Sequence, residues 1–170
     1  MAKKEDDIEV CCKEEKNMEK ERKNKTNVLT GSAGEYFVAA ELSRRGTVAA
    51  LTMAGTDAFD ILAVNPKGKT YSIQVKTTQY EKSTWLLSSK DEAPKADFYV
   101  FVRLNGKELP DYYIMPAKEV AETIKTEYIE WLATPRKDGV PHTPNSMRGI
   151  KIAYHDDRSY NKWELITGED

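Results

Sequence analysis

The residues whose types and spacing could do chemistry lie in a predicted β-hairpin over residues 58–78. Its strands, AFDILAV and TYSIQVKTT, alternate apolar and polar residues and are joined by the turn sequence NPKGK. Alternate side chains of a strand share a face, so Gln74 and Lys76 point to the same side. Antiparallel pairing through this turn brings Asp60 near them. The hairpin therefore predicts a carboxylate, an amide and an ammonium group in one small cleft.

These side-chain types suit chemistry on a phosphate group. Mg²⁺ takes hard oxygen ligands, and a nearby cation can orient an attacking water or offset charge that develops on the phosphate. One carboxylate holds Mg²⁺ poorly, because the ion keeps most of its water and prefers a second anionic ligand or the phosphate itself. Glu35, in the helix predicted before the hairpin, is the expected second acid. The carbonyl of Val75 could add another oxygen.

The same residues allow structural interpretations. Ser32-Ala33-Gly34-Glu35 matches the capping box, in which the glutamate side chain returns to the start of its own helix. One carboxylate cannot easily cap a helix and bind a metal at once, so the sequence leaves both roles of Glu35 open. Taken singly, Asp60 is typical of a polar residue at a sheet edge and Lys76 of an edge lysine that prevents aggregation.

The elements that must position these residues follow from hydrophobic periodicity. Residues 30–46 predict an amphipathic helix that begins at Ser32 and ends at Gly46. A strand (TVAALTM) and a loop (AGTDA, containing Asp57) lead into the hairpin. Three more strands are predicted for TWLLSS, DFYVFVRL and DYYIM, and a second helix for PAKEVAETIKTEYIEWLA. Residues 134–149 predict a loop, and a tail should pack Trp163 and Leu165 on the core. This order indicates an α+β sheet domain and not a doubly wound βαβ repeat.

Glu35 on a first helix, Asp60 at the head of a hairpin strand and Gln74-Val75-Lys76 on the next strand together resemble the PD-(D/E)xK nuclease superfamily. The likeness covers residues 31–115 and points to the Holliday-junction-resolvase and intron-homing-endonuclease branches. It implies a restriction-endonuclease-like fold, with a central mixed or antiparallel sheet of about five strands flanked by helices. It further implies an endonuclease that cuts DNA with Mg²⁺ or Mn²⁺. In that family resemblance Asp60 is the central metal ligand, Glu35 an auxiliary acid, and Lys76 the residue that activates or orients water.

Two positions depart from the family pattern. Gln74 stands where the (D/E)xK element has an acid, and Phe59 precedes Asp60 where the family has proline. A neutral amide is a poorer Mg²⁺ ligand than a carboxylate, so activity depends more heavily on Glu35. The alternative is a catalytically inactive nuclease-fold module that binds nucleic acid or a protein partner. A structural domain with no nucleic-acid role is a third possibility.

Composition bounds the rest of the chain. The 170 residues suffice for one domain, which we place at 27–170, after a mixed-charge arm over residues 1–26 that is expected to be disordered or loosely helical. Lys and Arg number 26 and Asp and Glu 28, so contact with nucleic acid must depend on local charge. Cys11 and Cys12 are adjacent and cannot form a disulfide framework or a four-ligand zinc site. We expect a cytoplasmic protein with no membrane span and no organic cofactor, and a homodimer where both DNA strands are cut.

Contacts with DNA are expected from two places. Thr77 and Thr78, just past the lysine, resemble the polar strand end that contacts phosphate in such nucleases, although β-propensity alone also explains them. In the late loop, Arg136, Lys137 and Arg148 could bind the DNA backbone, or could simply be solvated charges. His142 and His155 are not at ligand spacing and are predicted to be surface residues, while the aromatic residues are predicted to be core.

Overall fold

The computed structural model describes residues 25–53, 59–79 and 84–169. The first helix, α1, covers residues 25–44 within these ranges. The strands and the other helices follow it in this order: β1 (Val48–Leu51), β2 (Ile61–Val64), β3 (Thr70–Thr78), β4 (Thr84–Ser88), a 3-10 helix (Ser89–Glu92), β5 (Phe98–Arg103), β6 (Asp111–Pro116), α2 (Ala117–Ala133), β7 (Met147–Lys151) and α3 (Glu164–Thr167).

The central sheet has five strands in the order β1-β2-β3-β5-β6. The predicted hairpin is confirmed, with β2 antiparallel to β3 from Ile61 opposite Ile73 to Val64 opposite Thr70. β3 pairs on its other side with β5, and this pairing is parallel. β4 leaves the sheet and forms a separate two-stranded ribbon with β7. The architecture is the α+β arrangement predicted from the sequence, with a mixed central sheet.

Both faces of the central sheet are covered at β5, because alternate residues of this strand pack into different cores. On one face, Ile73 and Val75 of β3 contact Val38 and Leu42 of α1, together with Trp163 and Ile166 of the C-terminal tail. On the other face, the residues from β5, β4, α2 and β7 form a second core: Tyr99, Phe101, Trp85, Leu87, Val120, Ile124 and Ile150. Two buried faces fix β5 at the centre of the molecule, whereas β3 is buried on the α1 face and carries the half-buried Gln74 and Lys76 on the other.

Three sequence-based expectations are wrong. Residues 25–31 are already helical, so α1 does not begin at Ser32. Met147, Arg148 and Gly149, assigned to a loop, form β7 because they pair with β4. Leu165 is exposed, and Ile166 is buried beside Trp163 instead. In the short helix α3, residues three apart lie on the same face, so residue 166 and not residue 165 follows Trp163 into the core. The predicted loop at 54–58 with Asp57, most of the arm, and both cysteines lie outside the described residues.

The close approach of α1 to β3 depends on Gly34. A Cβ atom at this position would lie 1.9 Å from Thr77 Oγ1 and 2.9 Å from Thr77 Cβ, so only glycine fits. Gly31, one turn earlier in the same helix, is open, since a Cβ atom added there would have no neighbour within 4 Å. The contact at Gly34 therefore sets how near the following residue, Glu35, comes to the end of β3.

No helix in the described ranges is long and apolar enough to cross a membrane.

We expect Gly34→Ala and Gly31→Ala to change stability in opposite directions. The first should lower the free energy of unfolding by roughly 1–3 kcal/mol, because it overpacks a buried contact. The second should raise it by roughly 0.5–1 kcal/mol, because alanine is the better helix former at an open position. Urea unfolding of both variants measures the difference. Adding Thr77→Ala to Gly34→Ala should recover part of the loss, and two variants of equal stability would contradict the packing argument.

Candidate active site

Asp60 lies in a bend immediately before β2, and its backbone is held from both sides. Its N–H donates to the carbonyl of Ile73 at 2.9 Å, and its carbonyl accepts from the N–H of Thr52 at 2.9 Å. The hydroxyl of Thr52 also donates to the carbonyl of Phe59 at 2.8 Å. These bonds extend the pairing of β1, β2 and β3 by one residue before β2 begins, so the sheet sets the position of the Asp60 side chain.

The carboxylate of Asp60 fills a place on the edge of β3 where β2 no longer pairs. The N–H of Val75 donates to Asp60 Oδ2 at 2.6 Å, and the side-chain amide of Gln74 donates to the same oxygen. In a β-strand the N–H and the C=O of one residue point to the same edge, so the carbonyl of Val75 also faces this place. Three of the predicted metal ligands, Asp60, Gln74 and Val75, thus meet at one end of the hairpin.

Glu35 approaches this place from the α1 face of the sheet. Burial raises the pKa of the Glu35 carboxyl above its ordinary value, and the negative charge of Asp60 raises it further. Burial also raises the pKa of Asp60, although the hydrogen bond from Val75 and the charge of Lys76 oppose that rise. The two carboxylates therefore lie close enough to repel each other. The capping-box interpretation of Glu35 fails, because Ser32 is inside α1 and not at its start.

Gln74 and Lys76 lie on the opposite face of β3 from α1. Gln74 is paired with Tyr99 of β5, whose side chain belongs to the second core, whereas Val75 belongs to the core under α1. Glu35, on α1, therefore approaches Asp60 from the other face of the sheet. Asp60 lies just before β2 begins, beside the part of β3 that has no partner in β2.

Asp91 in the 3-10 helix is a member of the site that the sequence analysis missed. Burial disfavours its ionisation, but hydrogen bonds from the Ser88 N–H and the Tyr99 hydroxyl, both 2.7 Å, and the charge of Lys76 keep its pKa below the ordinary value. Lys76 thus acts on two acids, Asp60 and Asp91. The capping box of Ser88 and Asp91 marks the start of the 3-10 helix in the sequence, but it carries no sign that Asp91 lies near Lys76.

The donor set fits a hard divalent cation. Two partly buried carboxylates whose ionisation is costly are stabilised by positive charge between them, and oxygen donors of this kind suit Mg²⁺ or Mn²⁺. Within the described ranges, no three residues among His, Cys, Asp and Glu form a metal-binding group. The ligands available beside Glu35 and Asp60 are therefore the Gln74 amide oxygen, reached by rotating the amide, and the carbonyl of Val75.

The residues predicted to contact DNA are widely separated. Lys76, Thr77 and Thr78 line a cleft of about 390 Å³ together with Asn27 and Thr30 of α1. The Thr77 hydroxyl is buried there without a hydrogen-bond partner.

The late-loop residues lie elsewhere and differ in their surroundings. Arg148 is buried: it pairs with Glu92, donates to the carbonyls of Asn145 and Met147 at 2.9 Å, and stacks 3.4 Å from the centre of the Tyr128 ring. These contacts occupy its guanidinium, and we do not retain Arg148 as a DNA contact. Arg136 is exposed beside Asp138 at 3.7 Å, and Lys137 is exposed, so for these two a DNA contact stays a prediction.

The histidines lie on aromatic rings. His142 is half-buried and stacks on Trp131 with ring centres 4.0 Å apart, while His155 is exposed beside Tyr154 at 3.9 Å. The strand aromatics Tyr112 and Tyr113 are buried, as their spacing predicted.

Comparison with solved structures identifies the fold. The chain is similar to the bacterial homing endonuclease I-Ssp6803I, with a TM-score of 0.52 and 14% sequence identity over 82% of this chain and 92% of that one. It also matches a Holliday junction resolvase, Hjc of the archaeal hyperthermophile Archaeoglobus fulgidus, with a TM-score of 0.40 and 15% identity over 71% of this chain and 83% of that one. No protein-family model and no curated protein sequence matches. The chain has the restriction-endonuclease-like fold.

We expect Glu35→Gln to stabilise the metal-free protein at neutral pH. Because the folded-state pKa of Glu35 is raised, its ionisation costs stability, and that cost is absent well below 4.5 and complete once the pH exceeds the raised pKa. In EDTA at neutral pH the variant should melt at a higher temperature than the parent protein, because the amide carries no charge to desolvate or to repel Asp60. The gap should narrow as the pH falls towards 4.5.

Glu122→Gln, on the exposed side of α2, is the matched control and should show no such pH-dependent gap. The measurement is thermal unfolding of the three proteins from about pH 4 to about pH 8, a range that begins near the ordinary pKa of a glutamate. A Glu35→Gln variant that is less stable than the parent protein at neutral pH would show that the two carboxylates do not repel each other.

Proposed function

We propose that the protein is a divalent-metal-dependent DNA endonuclease that hydrolyses phosphodiester bonds at Asp60. The observation that carries the proposal is the convergence of Glu35 and Asp60 with Gln74 and Lys76 at the point where β2 begins, in a domain of the restriction-endonuclease-like fold. A structural domain gains nothing from two partly buried, mutually repelling acids. A site for a cation and a phosphate explains them.

Each residue has a role that follows from its position. Glu35 and Asp60 would hold Mg²⁺ or Mn²⁺ with the Val75 carbonyl and the Gln74 amide oxygen. A divalent cation in such a place supplies Lewis-acid stabilisation of charge on the phosphate and lowers the pKa of a bound water. The ammonium group of Lys76, whose charge lowers the pKa of both Asp60 and Asp91, orients the attacking water and offsets negative charge on the phosphate. The hydrogen bond from Val75 holds the Asp60 carboxylate in the position needed to bind the cation beside Lys76.

The described residues of one chain provide one such set, so one chain would cut one strand at a time. Cutting both strands of a duplex calls for two sites related by two-fold symmetry, and we propose a homodimer for that activity. Neither role requires an organic cofactor.

A second function is favoured by a single contact. The Gln74 amide donates a hydrogen bond to Asp60, which satisfies one oxygen of the carboxylate from within the protein. Such a site could remain metal-free, and the domain would then bind nucleic acid or a protein partner without cutting.

The proposed activity predicts cleavage of DNA by the purified protein with Mg²⁺ or Mn²⁺ and its loss in EDTA. Plasmid nicking and end-labelled duplex, branched and single-stranded oligonucleotides are the substrates. Asp60→Asn and Lys76→Ala should each lower the rate at least about 100-fold, the usual cost of removing a charge that acts on the reacting phosphate. Asp157→Asn and Lys107→Ala, which change the same charges at exposed positions, should cleave like the parent protein.

Metal binding separates the two functions. For the endonuclease, millimolar Mn²⁺ should raise the melting temperature of the parent protein and leave that of Asp60→Asn unchanged, because ligand binding to the folded state alone stabilises it. A protein that cleaves none of these four substrates and whose melting temperature does not change with Mn²⁺ is not a nuclease, and retained DNA binding would then establish the binding module.

A further inference from the structure

A second cavity opens directly beside the candidate active site. It has a volume of about 340 Å³ and lies between the paired strands β3 and β5 and the segment that follows β4. Its lining includes Gln74, Lys90, Asp91, Pro94, Lys95 and Tyr99. Because Gln74 also contacts Asp60, a ligand in this cavity would adjoin anything bound at Asp60. We call it the lysine-lined cavity.

The segment over residues 88–97 is acidic in sequence, with Asp91, Glu92 and Asp97 against two lysines. In the folded chain all three acids are held by internal partners. Asp91 accepts from the Ser88 N–H and hydroxyl at 2.7 and 3.1 Å and from the Tyr99 hydroxyl at 2.7 Å. Both carboxylate oxygens of Asp91 therefore accept hydrogen bonds from within the protein.

The other two acids are held in the same way. Glu92 pairs with the buried Arg148. Asp97 accepts from both the N–H and the hydroxyl of Ser72 at 2.8 Å. Arg148 therefore neutralises Glu92, and Ser72 holds the Asp97 carboxylate against β3.

Lys90 and Lys95 are exposed and line the cavity. In the part of the chain that the structure describes, no carboxylate lies within ion-pair distance of Lys95. The backbone that carries Lys90 is fixed, since its N–H donates to Ser88 Oγ at 3.2 Å and its carbonyl accepts from the Ala93 N–H at 3.2 Å. The cavity is thus bounded by backbone that is hydrogen-bonded at Lys90, and two exposed lysine side chains lie at its edge.

A ligand for this arrangement is an anion that a compact, hydrated ammonium group can hold as a point charge. A phosphate group fits that description, and lysine contacts of this kind position a nucleic-acid backbone without reading its sequence. On the far side of Lys76, by contrast, the cleft formed with α1 is lined by neutral side chains such as Asn27, Thr30 and Thr78. The two sides of the site therefore offer a DNA strand different contacts.

We propose that Lys90 and Lys95 bind backbone phosphates of the substrate strand next to the phosphate held at Asp60, so that the strand runs from the α1 cleft across Gln74 towards β5. The inference rests on the proposed function, because it takes a DNA strand as the ligand. It predicts that Lys90 and Lys95, on the β5 side of Asp60, supply the salt-dependent part of DNA binding near the candidate active site.

The test is a double variant, Lys90→Ala/Lys95→Ala, with Lys107→Ala/Lys162→Ala as a control of equal charge change away from the cavity. Binding of a fluorescent duplex oligonucleotide is measured in EDTA over a series of NaCl concentrations. For the first variant we expect Kd to rise at least about 10-fold at low salt and the slope of log Kd against log salt to fall by about one to two, as loss of one or two phosphate contacts predicts. The control should keep the parent slope.

Further measurements separate this inference from the proposed function. In Mg²⁺, the Lys90→Ala/Lys95→Ala variant should have a raised KM and a kcat within about 2-fold of the parent value, because the lysines act in binding. Lys90→Arg/Lys95→Arg should restore the slope, since it restores the charge. If the alanine variant keeps the parent slope while the parent protein cleaves DNA, the cavity assignment is wrong and the nuclease stands. If the slope falls but no protein cleaves, the cavity assignment stands and the nuclease proposal fails.

Discussion

The site depends on the hydrogen bond between the Val75 N–H and the Asp60 carboxylate. β3 continues to Thr78, whereas its pairing with β2 ends at Ile73 opposite Ile61, and this leaves the N–H of Val75 without a strand partner on that edge. Asp60 supplies the acceptor at 2.6 Å and so becomes part of the sheet edge. Because the carboxylate lies in the plane of the sheet, Glu35 can reach it from one face and Gln74 and Lys76 from the other.

In this arrangement a well-packed fold holds two carboxyl groups whose ionisation is unfavourable. Burial raises the pKa of both Glu35 and Asp60, and their charges oppose each other. The packing around them holds them in place, since Gly34 lets α1 approach β3 at Thr77 and two hydrophobic cores fix the strands from both sides. A pair of acids held together against repulsion has a high affinity for positive charge, whether a cation or the ammonium group of a lysine.

The hairpin and α2 could be predicted from the sequence because the patterns that indicate them are local. The hairpin follows from period-two alternation around a Pro and Gly turn, and α2 from its apolar spacing after Pro116. The errors arose where distant residues decide the outcome. Arg148 reads as a loop cation, yet pairing of β7 with β4 brings it to Glu92 and Tyr128 and buries it. Ser32 reads as a helix cap, yet α1 already includes the seven residues from 25 to 31.

The sequence by itself determined the residue types of the site and the register that brings Asp60 to Gln74, because both depend on strand alternation and on a short turn. It left open whether Glu35 caps its helix or lies near Asp60, and the tertiary structure excludes the cap, since Ser32 lies inside α1 and the packing of α1 against β3 brings the Glu35 carboxylate towards Asp60. The tertiary structure alone also brought Asp91 near Lys76 and paired Glu92 with Arg148. Charge pairing between elements far apart in the chain is not encoded in any local pattern.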